Sequence, residues 1–439
     1  MLLFKATLVA DSPFMIGNGI AEMTDNDVLV DRNGIPYIPG TTLAGVCRHY
    51  LQALEVDVSR IFGDGSHTDK QTGNESKIIF YDAFPVDSQS LHRSVRDSVK
   101  LANLQEDRLS SNPDNKFEYE VVEKQAEFIF RIELHLGRNK ASEEKKVIKH
   151  IIDGIQLGEI RIGAKTTRGF GKFKLKELKY KQIDLNKEFE KYLEIQGNEW
   201  EIVTDEWNHI HCSEGFFTKY EYPLELKTFL SIRNYASLIK HNNKPIDAET
   251  LKNSSDEVVV PGTSWAGVFR QHCHRILDMV GYHDKDRLLM SLFGYVDEGS
   301  KDDKDKHKSQ IYFEESSFPK DSVTLVKRTR TAIDRFTGGA ADGALFTQEI
   351  ACRKDGDGKT GKTTLVIRVP KKMYWINEYT EKEQTNKKQT EMDDSVKKLI
   401  DSLIKTCIAD LFEGHLVVGG QGSIGAGIFN GATKVKEGD

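Results

Sequence analysis

The chain has 439 residues, 38% hydrophobic and 30% charged, with a formal net charge of −6 and a pI near 6.2. That length allows two substantial cores, no apolar run approaches membrane-spanning length, and the acidic sum excludes a purely non-specific polyanion binder. Five cysteines (Cys47, Cys212, Cys273, Cys352, Cys407) without a CxxC pair argue against a disulfide framework and for a cytoplasmic protein with no membrane partner.

From the N-terminus, a first strand runs into the glycine-rich "MIGNG" (15–19). "IPYIPGTTLAGVCRHYL" (35–51) then reads as strand, Pro-Gly turn and helix, with threonine near the helix start. "RIFGDG" (60–65) and the strand "IIFYDAFP" (78–85) follow. "EDRLSSNPDNKFEYEVV" (106–122) leads into "VVEKQAEFIFRIEL" (121–134) as a hairpin and strand. An amphipathic helix at 142–160 precedes the basic, glycine-rich "RIGAKTTRGFGKFKL" (161–175). An acidic segment containing tryptophan, 181–218, connects this round to what comes next.

What comes next is the same order again. "EVVVPGTSWAGVFRQHC" (257–273) repeats Pro39, Gly40, Thr41, Ala44, Gly45, Val46 and Arg48 as Pro261, Gly262, Thr263, Ala266, Gly267, Val268 and Arg270, at a constant offset of 222. "SLFGYV" (291–296), "IYFEESSFP" (311–319), "IDRFTGGAADGALFTQEI" (333–350), the helix 394–414 and "VVGGQGSIGAGIFNG" (417–431) answer the remaining blocks in sequence. The expected fold class is therefore α+β: two tandem ferredoxin-like domains at 1–180 and 219–439, joined by a linker or small subdomain at 181–218. Charged stretches at 297–308 and 380–394 read as insertions.

"GDGKTGKT" (356–363) matches the phosphate-binding P-loop pattern, which needs a helix after its lysine and threonine. Here the chain continues "TLVIRVP", a β-branched run ending at Pro370, so strand, glycine turn and hairpin are expected instead, with no ATP. The corresponding join in the first repeat has no glycine at all. "HCH" (272–274) and "CRH" (47–49) fall on helices where adjacent residues diverge, so structural or surface histidines are expected rather than zinc ligands.

Base is concentrated in 161–176 and in "VKRTRTAIDR" (326–335). The second of these, with Lys327, Arg328, Arg330 and Arg335 ahead of a hairpin, favours phosphate contact. In the glycine loops, Gly163, Gly169 and Gly171, then Gly419, Gly420, Gly422, Gly425 and Gly427, would let backbone N–H groups approach phosphates. Lys165, Arg168 and Lys172 add charge to the first loop only.

The paired "D..G.PYIPGTTLAGV.R", the Phe-Gly after the helix, "AIDR.TGGA.DGALFT.E" and the closing glycine loops resemble the RAMP superfamily of CRISPR effector proteins. The resemblance is in particular to guide-RNA-binding backbone subunits of type III systems, in a fused tandem form. It implies an RNA-recognition-like palm that tracks a guide RNA and a β-hairpin thumb at about 106–122 and 333–350. It further implies complementary target RNA and other effector-complex subunits as partners. Cleavage would need a divalent metal such as Mg²⁺ and an aspartate ahead of the "YIPG" strand. Carried over, that aspartate is Asp25 and, at the same spacing, Asp247; Asp27 is an alternative, with Glu249 at its equivalent. The guide-binding set would comprise Gly17, Gly19, Thr41, Arg48, Lys165, Arg168, Gly169 and Gly171, then Thr263, Arg270, Lys327, Arg328, Arg330, Arg335, Gly420, Gly422 and Gly425. Two other readings stay open: a non-catalytic guide-RNA scaffold, and a guide-RNA-processing endoribonuclease, for which His49 and His272 offer little support.

Overall fold

The computed structural model describes residues 1–19, 21, 23–63, 75–99, 116–136, 141–193, 201–202, 215–234, 246–296, 306–354, 361–376 and 390–431. Leu2–Ala10 (β1) alternates so that Leu2, Phe4, Ala6, Leu8 and Ala10 face one buried side at period two. Behind it lies the helix Gly40–Ala53 (α1), which buries Leu43, Cys47 and Leu51 at four-residue spacing. Ile78–Phe80 (β2), the hairpin of Arg93–Val99 (β3) and Lys116–Val122 (β4), Glu127–Leu134 (β5), the helix Ala141–Gln156 (α2) and Phe173–Gln182 (β6) complete this half.

The sheet order is β2-β5-β1-β6, antiparallel at every pairing, with Glu201–Ile202 from the connector added beside β6. One strand-helix-strand followed by strand-helix-strand, in the order second, third, first, fourth, is the ferredoxin-like arrangement. The helices cover one face, where Val147, Ile148, Ile151, Ile152 and Ile155 of α2 join the α1 stripe in a single core.

The second half builds the same topology. Phe217–Leu226 (β7), the helix Gly262–Met279 (α3), Tyr312–Phe313 (β8), Lys362–Pro370 (β11), the helix Asp394–Glu413 (α4) and Phe429–Gly431 (β12) give the order β8-β11-β7-β12. Its inserted hairpin is Val323–Arg330 (β9) against Phe346–Arg353 (β10), in register from Val323 opposite Arg353 to Arg330 opposite Phe346. The α+β tandem expected from the repeat is therefore the fold. α4 starts where the Asp393 carboxylate accepts the N–H groups of Ser395 and Val396, and it ends at Gly414 with φ 83°. Asp393→Ala should lower stability by about 1 kcal/mol, read from a urea unfolding curve.

One expectation is corrected. β10 and β11 flank the P-loop-like segment but do not pair as a hairpin. β10 pairs with β9 and with Phe229–Leu230, whereas β11 pairs with β7 and β8. Residues 355–360 lie outside the described set; from Lys362 the chain is a strand, so the helix a P-loop requires does not follow. Most of the two charged insertions (297–305 and 377–389), the connector's 194–200 and 203–214, and the first hairpin's 100–115 are also outside it. No helix among the described residues is long and apolar enough to cross a membrane.

Two compact units result. The first comprises Met1–Ser94, Tyr119–Thr166 and Phe170–Phe216; the second comprises Val95–Glu118, Thr167–Gly169 and Phe217–Asp439.

Candidate nucleic-acid interface

On α1, Thr41, Gly45 and Arg48 stand at i, i+4 and i+7, one face of the helix, and none is fully buried. On α3, Thr263, Gly267 and Arg270 repeat that face, again without full burial. The glycines of these helices divide sharply. A Cβ on Gly40 would lie 2.3 Å from the Phe80 carbonyl oxygen, and one on Gly262 would lie 2.3 Å from the carbonyl oxygens of Arg168 and Phe313. Those two are glycine because backbone passes against them. A Cβ on Gly45 or Gly267 would meet nothing within 4 Å. A glycine inside a helix costs about 0.5–1 kcal/mol relative to alanine. Both repeats carry one where the chain itself gives no reason, beside a hydroxyl and a guanidinium. The sequence signal for these two helix glycines is their identity at one register in both repeats.

The glycine loops are near copies in backbone. Positive φ recurs at Gly163 and Gly419 (95° and 87°), Lys165 and Gln421 (55° and 65°), Gly169 and Gly425 (94° and 87°), and Gly171 and Gly427 (75° and 72°). The Ala164 N–H donates to Met15 O at 2.7 Å, and the Gly420 N–H to Ser231 O at 2.9 Å. Cβ atoms on Gly171 and Gly427 would fall 2.2 and 1.9 Å from the carbonyl oxygens of Ile162 and Val418. These residues are thus required by the turn itself. Gly425 differs, with positive φ and nothing within 4 Å of its Cβ position. Gly17 bridges Val28, and Gly19 has φ 77° in open space.

The charges predicted to accompany the loops have distinct fates. The Lys165 ammonium sits 3.5 Å from the centre of the Tyr119 ring, and Lys172 pairs with Asp11 at 3.0 Å. In the second unit, Arg168 donates to Phe293 O at 3.2 Å. Burial, with the neighbouring Arg270 guanidinium, lowers the Arg168 pKa to about 10, and burial also lowers that of Arg270. The Nε of Arg270 is buried with no hydrogen-bond partner among the described residues. Two neighbouring guanidiniums, both partly desolvated, favour an anion between or beside them.

Lys327, Arg328 and Arg335 are exposed on the second hairpin and Arg330 is half-buried. Arg328 lies over the Phe229 ring at 5.2 Å and Arg233 over Phe346 at 5.4 Å. At the tip, Phe336 is 100% exposed, with Ile333 and Leu345 each at 67%. Apolar and aromatic side chains held in solvent on a basic hairpin offer nucleobases a stacking surface.

The aspartate loops are equivalent in backbone as well as in spacing. Asn26 bridges Tyr119 in parallel, and Ala248 bridges Gln348 in the same way, so Asp25 and Asp247 each stand one residue before the bridge to the hairpin strand. Both are exposed. The Asp247 carboxylate accepts the Thr347 N–H at 2.6 Å. Asp27 is only 8% exposed, and its two oxygens take the N–H groups of Met23 and Thr24 and the Thr24 hydroxyl. It fastens its own loop.

No group of three or more His, Cys, Asp or Glu that could hold a metal ion occurs among the described residues. Among the described residues, the exposed carboxylate of Asp25 or Asp247 at each loop could hold a hydrated magnesium ion. His272 is a core histidine: its Nε2 meets Asp410 and its Nδ1 meets Arg275. Cys273 and Cys407 are buried neighbours 3.6 Å apart at sulfur.

The family model described as the RAMP superfamily matches residues 7–174 and 210–430. No curated protein matches the sequence. Among solved structures, a chain of the type III-B Cmr-beta complex bound to cognate target RNA is 19% identical, with a TM-score of 0.34. That match covers 41% of this chain and 60% of the other; similarity at this level carries no functional argument.

Proposed function

The chain belongs to the RAMP superfamily, and from that premise we propose that it is a guide-RNA-binding backbone subunit of a type III CRISPR ribonucleoprotein that cleaves complementary target RNA. The observation that carries the binding half is the duplicated helix face: Thr41, Gly45 and Arg48, then Thr263, Gly267 and Arg270, where hydroxyl, bare backbone and guanidinium suit a sugar-phosphate chain. The adjacent Arg168 and Arg270 add a phosphate seat in the second unit. Other effector-complex subunits and the target strand are the remaining partners, in the cytoplasm.

Cleavage needs little from the protein because RNA carries its own nucleophile. The 2′-hydroxyl attacks the adjacent phosphorus, the bond from phosphorus to the 5′-oxygen breaks, and a cyclic phosphate and a 5′-hydroxyl remain. In-line geometry is the barrier, since a stacked A-form duplex opposes it. The hairpin tip, with Phe336, Ile333 and Leu345 in solvent, is suited to unstack one step of the duplex. Asp25 and Asp247, each beside a hairpin strand, would take the 2′-hydroxyl proton or hold a hydrated metal by water. A bound magnesium ion would supply charge neutralisation at the scissile phosphate.

The test of the binding half uses signs that diverge. Gly45→Ala and Gly267→Ala should raise stability by about 0.5–1 kcal/mol, because nothing among the described residues meets the new methyl. The same variants should weaken guide-RNA binding, on the order of tenfold. Arg48→Met and Arg270→Met should each reduce the slope of log K against log salt by roughly 0.7. Guide affinity unchanged in all four would remove these faces from the interface.

A further inference from the structure

In both units one glutamate grips the aspartate loop at two points. The Glu120 N–H donates to Asn26 O at 3.0 Å, and its side chain accepts the Val28 N–H at 3.1 Å. In the second unit the Glu349 N–H donates to Ala248 O at 2.9 Å, and its Oε1 faces the Thr250 N–H at 3.4 Å. The Thr250 hydroxyl adds a bond to the Glu349 carbonyl at 3.0 Å. Each glutamate lies on the second strand of its hairpin (β4 or β10), half-buried next to a buried residue. The loop residues gripped, one and three positions after the aspartate, are the same in both units.

We infer that Glu120 and Glu349 are positioning residues for target cleavage: each ties its hairpin to its aspartate loop and fixes where Asp25 or Asp247 stands. This rests on the cleavage reading above. The physical case is that the backbone of a loop has many positions, whereas in-line chemistry accepts few. A displacement of about 1 Å can cost on the order of a hundredfold in rate. A glutamate holding the residues one and three positions after the aspartate removes that freedom without touching substrate. A purely structural glutamate could be expected in one unit. Identical two-point contacts in both, where the flanking strand residues Tyr119 and Gln348 differ, point to the loop as the object.

The charge is not what the contact uses. Glu120 also pairs with Arg93 at 3.3 Å, but Arg93 is 45% exposed, so that pair adds little. Glutamine keeps an oxygen for the Val28 N–H; alanine does not. In the assembled ribonucleoprotein, Glu120→Ala should slow the cut lost in Asp25→Ala by about tenfold to a hundredfold and leave the other cut alone. Glu120→Gln should cut near the wild-type rate. Glu349→Ala and Glu349→Gln should do the same for the cut lost in Asp247→Ala. Guide and target affinities should stay unchanged in all four. Amide exchange of Val28 or Thr250, read on the same complexes, should accelerate by about tenfold in the alanine variants.

Alanine variants that cut at the wild-type rate overturn the inference, whatever the exchange does. So do glutamine variants as slow as alanine, which would assign the role to charge. Loss of both cuts together with guide binding would mean a damaged fold rather than a displaced loop. Failure of the parent reading looks different: Asp25→Ala would cut like wild type while Glu120→Ala still loosened the Val28 amide.

Discussion

Asp25→Ala and Asp247→Ala are each expected to erase one distinct cut in a complementary target RNA, and the double variant both, with target binding retained. The expected loss is on the order of 10²- to 10⁴-fold per site, the range for a positioned acid-base group. Retained binding follows from exposure: neither carboxylate is part of a core, so neither change opens a cavity. Asp247 accepts the Thr347 N–H, so removing its side chain also removes that partner. The measurement is single-turnover cleavage by the assembled complex, with magnesium and then with chelator. If all variants cut like wild type, the carboxylates are turn residues and the protein is a guide-RNA scaffold. Cleavage that survives chelation would instead favour unassisted attack or a processing enzyme.

Much of this geometry was legible because the sequence contains its own control. Spacing alone put Asp25 and Asp247 at matching positions, and the parallel bridges at Asn26 and Ala248 place them in matching backbone. The loop phases of 161–175 and 417–431 matched so well in sequence that even the left-handed positions coincide, although one is Lys165 and the other Gln421. Other features lay beyond any local reading. Strand partners are set by long-range pairing, so two adjacent strands at 346–353 and 362–370 read as a hairpin yet belong to different sheets. The roles of Glu120 and Glu349 depend on a contact across about a hundred residues and leave no periodic trace. The charge of Lys165 offers it to phosphate; its ammonium also lies over the Tyr119 ring, a contact no spacing rule predicts.

Trp265→Ala is expected to cost about 3–5 kcal/mol, the largest loss from a single side chain in the second unit. Trp265 is fully buried on α3, with its ring 5.8 Å from that of Phe429 on the opposite edge strand. Its indole N–H donates to the Ser316 hydroxyl at 3.0 Å, and that hydroxyl donates onward to Thr364 O at 2.7 Å. Alanine therefore leaves a cavity and removes one donor from a buried hydroxyl, whereas phenylalanine restores much of the volume but not the donor. Trp265→Phe should cost about 1–3 kcal/mol, and the difference measures packing against hydrogen bonding. Urea unfolding followed by amide exchange of α4 reads both. The consequence for RNA separates core from interface. Trp265 fixes the helix whose outer face carries Thr263, Gly267 and Arg270, so Trp265→Ala should lower stability and guide affinity together. Gly267→Ala should move them in opposite directions. If both variants instead moved the two quantities in the same direction, guide affinity would track fold stability, and the outer face of α3 would have no contact of its own with RNA.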